Sequence, residues 1–385
     1  MPRLDANSNI TDLRCLACGA RQPADTGASI CRSPEHGDER GILDVGYDYD
    51  RARRDWPAPH AAGPGLWRYQ ALLPVPRPAK PLLAVGDTPL ISAPRLARRL
   101  GLKSLWLKDD TRNPTRSFKD RATAVGMAIA IARGLHTVTC ASAGNAAISL
   151  AGFAAHAGLG CEVFVPSYAS AERLAWLAKF GARVHVSTGN YDQAFDECEA
   201  AAAEHGWYNR NCAWNPFLVE GKKTVSFEIG AQLDYALPDA VVCAVGDGCT
   251  LGAIGKGFRE LRLMGVTNTL PQLVGVQAAN VAPIVARQRG EPWHDDGAST
   301  AAASVAVRRP RNAVRVLAEV RESRGTMMSV DEGAIAAAQR AYATEAGVVV
   351  EAATATTLAA LEALTADGQL KGARVVCVLT GGRAD

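Results

Sequence analysis

Residues 137–158 read "TVTCASAGNAAISLAGFAAHAG". The β-branched start, "TVTCAS", suits a strand, and the alanine-rich "NAAISLAGFAAHAG" suits a helix that ends on Gly158. The same grammar runs outward in both directions. Downstream come "CEVFVP" as a strand, "SAERLAWLAKFG" as a helix, "ARVHVS" as a strand and "YDQAFDECEAAAAEHG" as a helix. Upstream, "SLWLKDD" reads as a strand and "DRATAVGMAIAIARGL" as a helix closed by Gly134. Beyond residue 225 it resumes with strands "AVVCAVG", "QLVGVQA" and "ARVVCVLT" among the helices "AIGKGFRELRLMG", "VDEGAIAAAQRAYATEAG" and "ATATTLAALEALTADG". Alternating strands and helices predict parallel sheets covered by helices on both faces, an α/β fold of two three-layer domains.

Two other stretches precede this body. Residues 1–45 are polar and cysteine-bearing, with "LRCLACGARQPADTG" at 13–27. Residues 46–85 are rich in Pro, Arg and Trp, as in "DWPAPHAAGPGLWRYQALLPVPRPAKP", and predict an extended arm rather than regular structure. The expected division is a short Cys-bearing module over 1–45, a large domain from 46–127 with 226–385, and a small inserted domain over 128–225.

A chain of 385 residues with a net charge of +3 and no basic run interleaved with aromatics is a poor match to nucleic acid. The first residues contain no apolar leader, and nowhere is there a run of the roughly 18 apolar residues that a membrane span needs. A cytoplasmic protein is expected. The ten cysteines fall mostly one at a time in apolar segments, which reads as buried reduced thiols.

Four motifs offer chemistry. In "NPTRSFKDR" (113–121) Lys119 follows a turn and opens a helix beside the ring of Phe118. A lone lysine is ordinarily a solvated charge, but partial burial and the positive helix end disfavour an ammonium, and a neutral amine is what imine chemistry requires. "AVGDGCTLGAIGKGF" puts Gly246, Gly248 and Gly252 between a strand and a helix, an anion-binding loop or a plain glycine turn. It fits neither the P-loop nor the dinucleotide fingerprint, so a small phosphate-bearing cofactor suits it better. "ASAGN" joins a strand to a helix, where Ser142 and Asn145 either cap the helix or help hold a carboxylate. Thr380 in "VLTGG" ends the last strand, at the sheet edge where ligands bind in open α/β folds.

A neutral amine, an anion loop, a carboxylate cradle and a polar strand end together match pyridoxal phosphate bound as an imine. The chain resembles the threonine synthase family, within the tryptophan-synthase-β-like (fold type II) pyridoxal enzymes. The resemblance runs from "LRCLACG" and "GILDVGYD" through "LWRYQALLP", "GDTPLI", "LKDDTRNPTRSFKDR", "ASAGN" and "VGDGCTLGAIGKGF" to "VCVLTGG", nearly the whole length.

The resemblance implies that Lys119 bears the cofactor and then moves protons. It implies that Asn145 bonds the pyridine oxygen, that Gly246, Asp247, Gly248, Cys249 and Thr250 hold the phosphate, and that Thr380 meets the ring nitrogen. Lys108, Arg116, Ser117, Ser142, Ala143 and Gly144 would meet the substrate. The reaction implied is conversion of O-phosphohomoserine and water to threonine and phosphate, by a homodimer with the cofactor in the cleft between its domains. A small-molecule amino acid is the expected partner.

This sequence departs from the family in telling places. Arg116 stands where glycine is usual, and Ala143 and Ala146 replace hydroxyl residues. Arg116 offsets the missing donors for a phosphate, or else the substrate differs. Asp247 in the anion loop is awkward beside a phosphate unless it points away. The alternatives are a β-eliminating or β-replacing enzyme, such as a serine/threonine or diaminopropionate ammonia-lyase or a cysteate-synthase-like activity, and a catalytically silent relative.

Cys15 and Cys18 have zinc-ribbon spacing, and Cys31 and His36 follow. A second CxxC is missing, so the reading is divided between a structural zinc and a degenerate knuckle held by packing.

Overall fold

The computed structural model describes residues 9–24, 29–31, 33, 36, 41–79 and 82–382. The remaining residues, including parts of the N-terminal module, lie outside that description. Contacts gather the chain into two compact units. One comprises Met1–Trp56, Ala62–Val85 and Asn113–Lys222; the other comprises Pro57–Ala61, Gly86–Arg112 and Lys223–Asp385.

In chain order the strands are β1 (Ile10–Cys15), β2 (Arg21–Gln22), β3 (Ile30–Cys31), β4 (Gly41–Tyr47), β5 (Leu90–Ser92), β6 (Ser104–Asp109) and β7 (Thr137–Ala141). There follow β8 (Gly160–Val165), β9 (Arg183–Val186), β10 (Tyr208–Asn209), β11 (Ala240–Ala244), β12 (Gln272–Ala278), β13 (Thr326–Val330) and β14 (Arg374–Leu379).

The first unit holds an antiparallel sheet, β2-β1-β4-β3, and a parallel one, β10-β7-β8-β9. Helices Asn145–Ala157 and Tyr191–His205 both pack on β7 and β8. Phe164, Ala194, Phe195, Cys198 and Ala213 make a core beneath the second of them. The second unit is built on the sheet β13-β12-β11-β14-β6-β5, parallel throughout except for the antiparallel edge strand β5. Its central strands read as unbroken apolar runs because both faces are covered. Helix Ala352–Ala366, built mostly of alanine, leucine and threonine, is buried for most of its length against this sheet.

The βα alternation is as the sequence predicts. Differences arise in two places. The arm over 46–85 is not simply extended. Its prolines stop long helices, yet Tyr49–Arg54 is helical with Asp48 as its cap, and Gly65–Leu72 is a 3-10 stretch. Leu66, Trp67, Tyr69 and Leu72 of that stretch are buried, so apolar anchoring organises what proline leaves irregular. Helix Phe217–Gln232 escaped the sequence pattern altogether. It buries Glu220, Lys222, Lys223 and Glu228, so no polar face marks it as amphipathic.

Candidate active site

Lys119 is the first residue of helix Lys119–Ala132 and is half-buried. The preceding turn is built by local bonds. The Arg116 N–H donates to the Asn113 carbonyl at 2.8 Å, closing a four-residue turn. Asp120 reaches back, accepting from the Thr115 N–H at 2.7 Å and from the Thr115 hydroxyl. Burial pushes the Asp120 carboxyl up, opposed by its bonds from Ser149 and Thr115. Arg116 itself is exposed and has φ of +63°, the left-handed region that glycine occupies freely. Ser117 is fully buried, and its Oγ has no hydrogen-bond partner among the described residues.

Asn145 likewise opens a helix, Asn145–Ala157, whose cap is Gly144 with no side-chain bond to the helix end. The Gly144 N–H donates to Ser142 Oγ at 3.0 Å. Ser149, one turn into this helix, donates to Asp120 at 2.6 Å, so the first turns of the Lys119 and Asn145 helices adjoin. A neighbour the sequence did not flag also reaches this loop: Arg173 Nη1 donates to the Ala143 carbonyl at 3.4 Å.

In the second unit the glycine loop and Thr380 meet at one sheet edge. β11 and β14 are parallel neighbours in the register Val242 to Cys377, so residues 246–248 and Thr380 leave the same ends of adjacent strands. Helix Cys249–Leu263 begins after Gly248 (φ +97°) without a side-chain cap, and the positive end of its dipole is the kind of helix start that favours an anion. Asp247 does not compete for that role. Its carboxylate accepts from the Arg311 N–H at 2.6 Å and from Cys249 Sγ at 3.3 Å, and its carbonyl accepts from the Asn312 N–H at 3.1 Å. The Thr380 hydroxyl, nearly buried, lies 3.3 Å from that of Thr354.

Lys108 sits in a closed network of the same unit. Its ammonium donates to Glu228 at 2.7 Å, to the Thr88 carbonyl at 2.6 Å and to Gln232 at 3.0 Å. An ammonium has three protons, so none is left for a substrate in this arrangement. Glu228 also accepts from the N–H groups of Asp87 and Thr88 at 3.1 and 3.3 Å, tying down the "GDTP" segment. Sequence reasoning missed Glu228 because nothing marks a glutamate as buried within an unrecognised helix.

Cys15, Cys18, Cys31 and His36 converge, each offering one ligand atom, all within 4.8 Å of one another. Cys15 Sγ lies 3.3 Å from His36 Nε2, and Cys18 Sγ lies 3.8 Å from Cys31 Sγ. Tetrahedral zinc with bonds of about 2.3 Å to sulfur requires sulfur–sulfur edges of about 3.8 Å, so the donor set fits that ion. A Cβ on Gly41 would come within 2.6 Å of Cys31 Cβ, so only glycine fits against the cluster.

Residues 81–381 match the family model described as "Pyridoxal-phosphate dependent enzyme", and the chain belongs to that family. It is 38% identical to threonine synthase of Methanosarcina acetivorans, covering 96% of this chain and 91% of that protein. To threonine synthase of Methanocaldococcus jannaschii it is 36% identical, with 96% and 91% covered. Among solved structures, an aspartate racemase dependent on pyridoxal 5'-phosphate superposes with a TM-score of 0.67 at 22% identity, covering 77% of this chain and 91% of that one. Threonine deaminase isoform 2 of Solanum lycopersicum gives 0.65 at 20%, covering 77% and 80%, and these two likenesses concern the fold alone. Within the family the chain is a threonine synthase-like enzyme, a carbon–oxygen lyase by class.

The residues present fit the cofactor of that family. An uncapped helix start suits its phosphate, and the one carboxylate in the glycine loop is already bonded to Arg311 and Cys249. The buried Ser117 hydroxyl, two residues before Lys119, has a bond to give. Among the described residues, no helix is long and apolar enough to cross a membrane.

Proposed function

We propose that the chain converts O-phosphohomoserine and water to threonine and phosphate, with Lys119 as the residue that carries pyridoxal phosphate. When bound, the cofactor supplies an electron sink for the bonding pair left at a substrate's α-carbon. Lys119 would hold it through its amine, and the same amine is the group placed to move protons at the substrate carbons. The amides of Gly246, Asp247, Gly248, Cys249 and Thr250 hold the phosphate, Asn145 bonds the ring oxygen, and Thr380 meets the ring nitrogen. A neutral hydroxyl at the ring nitrogen suits elimination over transamination. Ser117, Ser142, Ala143 and Gly144 line the substrate's carboxylate, and Arg116 faces its distal anion. Residues 128–225 serve as the part that closes over bound substrate and excludes water.

The observation that carries the reading is identity above a third with threonine synthases over nearly the whole chain, with Lys119 standing at the helix start in "SFKDR". A second reading, β-elimination or β-replacement on a smaller amino acid, is favoured by one feature. Ala143 and Ala146 leave the cradle without two hydroxyls that a phosphate leaving group would use. Assays with O-phosphohomoserine, phosphoserine and threonine separate them. Phosphate release with threonine formation supports the first, and ammonia with a 2-oxo acid supports the second. Lys119→Ala is expected to abolish both turnover and the borohydride-reducible yellow band; retention of either overturns Lys119's role.

Zinc at Cys15, Cys18, Cys31 and His36 belongs to the same proposal, as a structural ion. A homodimer in the cytoplasm is the setting proposed for the enzyme.

A further inference from the structure

The first turn of the Lys119 helix is gripped from outside as well as by its own ladder. Thr123 donates its hydroxyl to the Lys119 carbonyl at 3.1 Å, one turn back along the helix. Arg210, which follows β10 in the same unit and is 2% exposed, reaches both groups. Its Nη2 donates to the Lys119 carbonyl at 3.2 Å and its Nε to the Thr123 hydroxyl at 3.2 Å. On the far side, Ser149 Oγ lies 2.7 Å from Thr123 Oγ1 and 2.6 Å from Asp120, the carboxylate that fixes the preceding turn. The Lys119 carbonyl is thus bonded by a side chain of its own helix and by one from the segment after β10, while Ser149 of a neighbouring helix holds Thr123 and Asp120.

A guanidinium suits this task. It is planar and permanently charged, and its donors are fixed relative to each other, so holding two acceptors at once sets direction as well as distance. A main-chain carbonyl so held fixes the course of the Cα–Cβ bond from which the amine side chain extends. A neutral residue at 210 would leave the carbonyl with its helical partners and a freer first turn.

We propose that Arg210 is a positioning residue for Lys119, setting the direction of the amine through the Lys119 carbonyl and the Thr123 hydroxyl. It touches neither substrate nor cofactor in this role. Because the role rests on Lys119 carrying the cofactor, the test separates the two.

Wild-type holoenzyme is first reduced with borohydride and the modified peptide mapped; label absent from residue 119 ends the reading of Lys119 before Arg210 is tested. R210Q, R210K and T123V holoenzymes are then assayed with whichever amino acid turns over. R210Q is expected to lower kcat by roughly tenfold to a hundredfold with KM within a factor of about two, since misplacing a reacting group costs on that scale. R210K, which keeps a cation that can reach one acceptor, recovers part of the loss, and T123V moves kcat in the same direction as R210Q. In parallel, hydrogen exchange of residues 119–123 in the cofactor-free proteins is expected to be faster in R210Q than in wild type. An unchanged kcat in R210Q, or exchange at 119–123 equal to wild type, overturns the proposal. So does a loss confined to thermal stability while the folded fraction keeps wild-type kcat. Should R210Q fail to fold, T123V decides by the same two measurements.

Discussion

The ammonium of Lys108 lies 2.7 Å from the carboxylate of Glu228, and neither side chain has any exposed surface. Both groups are further bonded, Lys108 to Thr88 and Gln232, Glu228 to the amides of Asp87 and Thr88. Removing one member leaves an uncompensated buried charge, which costs about 3–5 kcal/mol, whereas an apolar pair of similar volume is close to neutral. K108M is therefore expected to lower stability by about that amount, and K108M/E228L to recover most of it. Urea unfolding of the cofactor-free proteins measures both. A K108M variant that raises KM at wild-type stability would instead place Lys108 on the substrate.

Arg116 occupies the left-handed region, with φ of +63°, and is exposed. For a residue with a Cβ that conformation costs roughly 1–2 kcal/mol, part of which R116G regains and part of which it returns as a more flexible unfolded chain. R116G is expected to leave stability unchanged or slightly raised while KM for a phosphorylated substrate climbs at least severalfold. A falling KM would show that the guanidinium serves no distal anion.

The cysteines divide by environment. Burial pushes Cys198 up to about 11, and Cys161 and Cys377 up to about 12. Those thiols stay protonated at neutral pH and are expected to resist iodoacetamide until the protein unfolds. Cys212 is half-buried, with Lys222 Nζ 2.9 Å from its sulfur, and should react first outside the metal cluster. Mass spectrometry of briefly alkylated native protein checks the order.

Metal analysis of protein purified without chelator should return one zinc per chain. C18S, and C31S more so because Cys31 is buried, should lose it. With the ion gone the N-terminal sheet loosens, while kcat of the remaining body is expected to hold, since the ligands come from residues apart from the Lys119 turn. A zinc-free variant with wild-type melting behaviour would reduce the cluster to packing.

Much of this organisation is legible in the residues. Strands such as "ARVVCVLT" and helices such as "NAAISLAGFAAHAG" announce themselves by composition and a terminal glycine, and both are present at β14 and Asn145–Ala157. Cys15, Cys18 and Cys31 are legible by spacing, and His36 joins them in space. What is hidden is buried charge. Helix Phe217–Gln232 carries Lys222, Lys223 and Glu228 inward, so a pattern that equates charge with solvent passes over it. Arg210 is hidden for the same reason, because "YNRNCAWN" reads as an ordinary polar connection. Partnership across the chain, such as Glu228 with Lys108, leaves no local trace.

Gly248 has φ of +97°, and a Cβ there would stand 2.7 Å from the Asn312 carbonyl. G248A is expected to weaken cofactor retention and to cost more than about 1 kcal/mol, from strained backbone alone. Equilibrium dialysis against the cofactor reads the first effect and urea unfolding the second.

That crowding at Gly248 also restricts how such a loop can diversify. With one position closed by the backbone of residue 312, and Asp247 already committed to Arg311, side-chain novelty is admitted chiefly through Cys249 and Thr250. Descendants of this chain that acquire new leaving-group preferences would have to accumulate their changes elsewhere, around the lysine turn and the alanine-bearing cradle, leaving the glycine loop as the slow-changing part of the lineage.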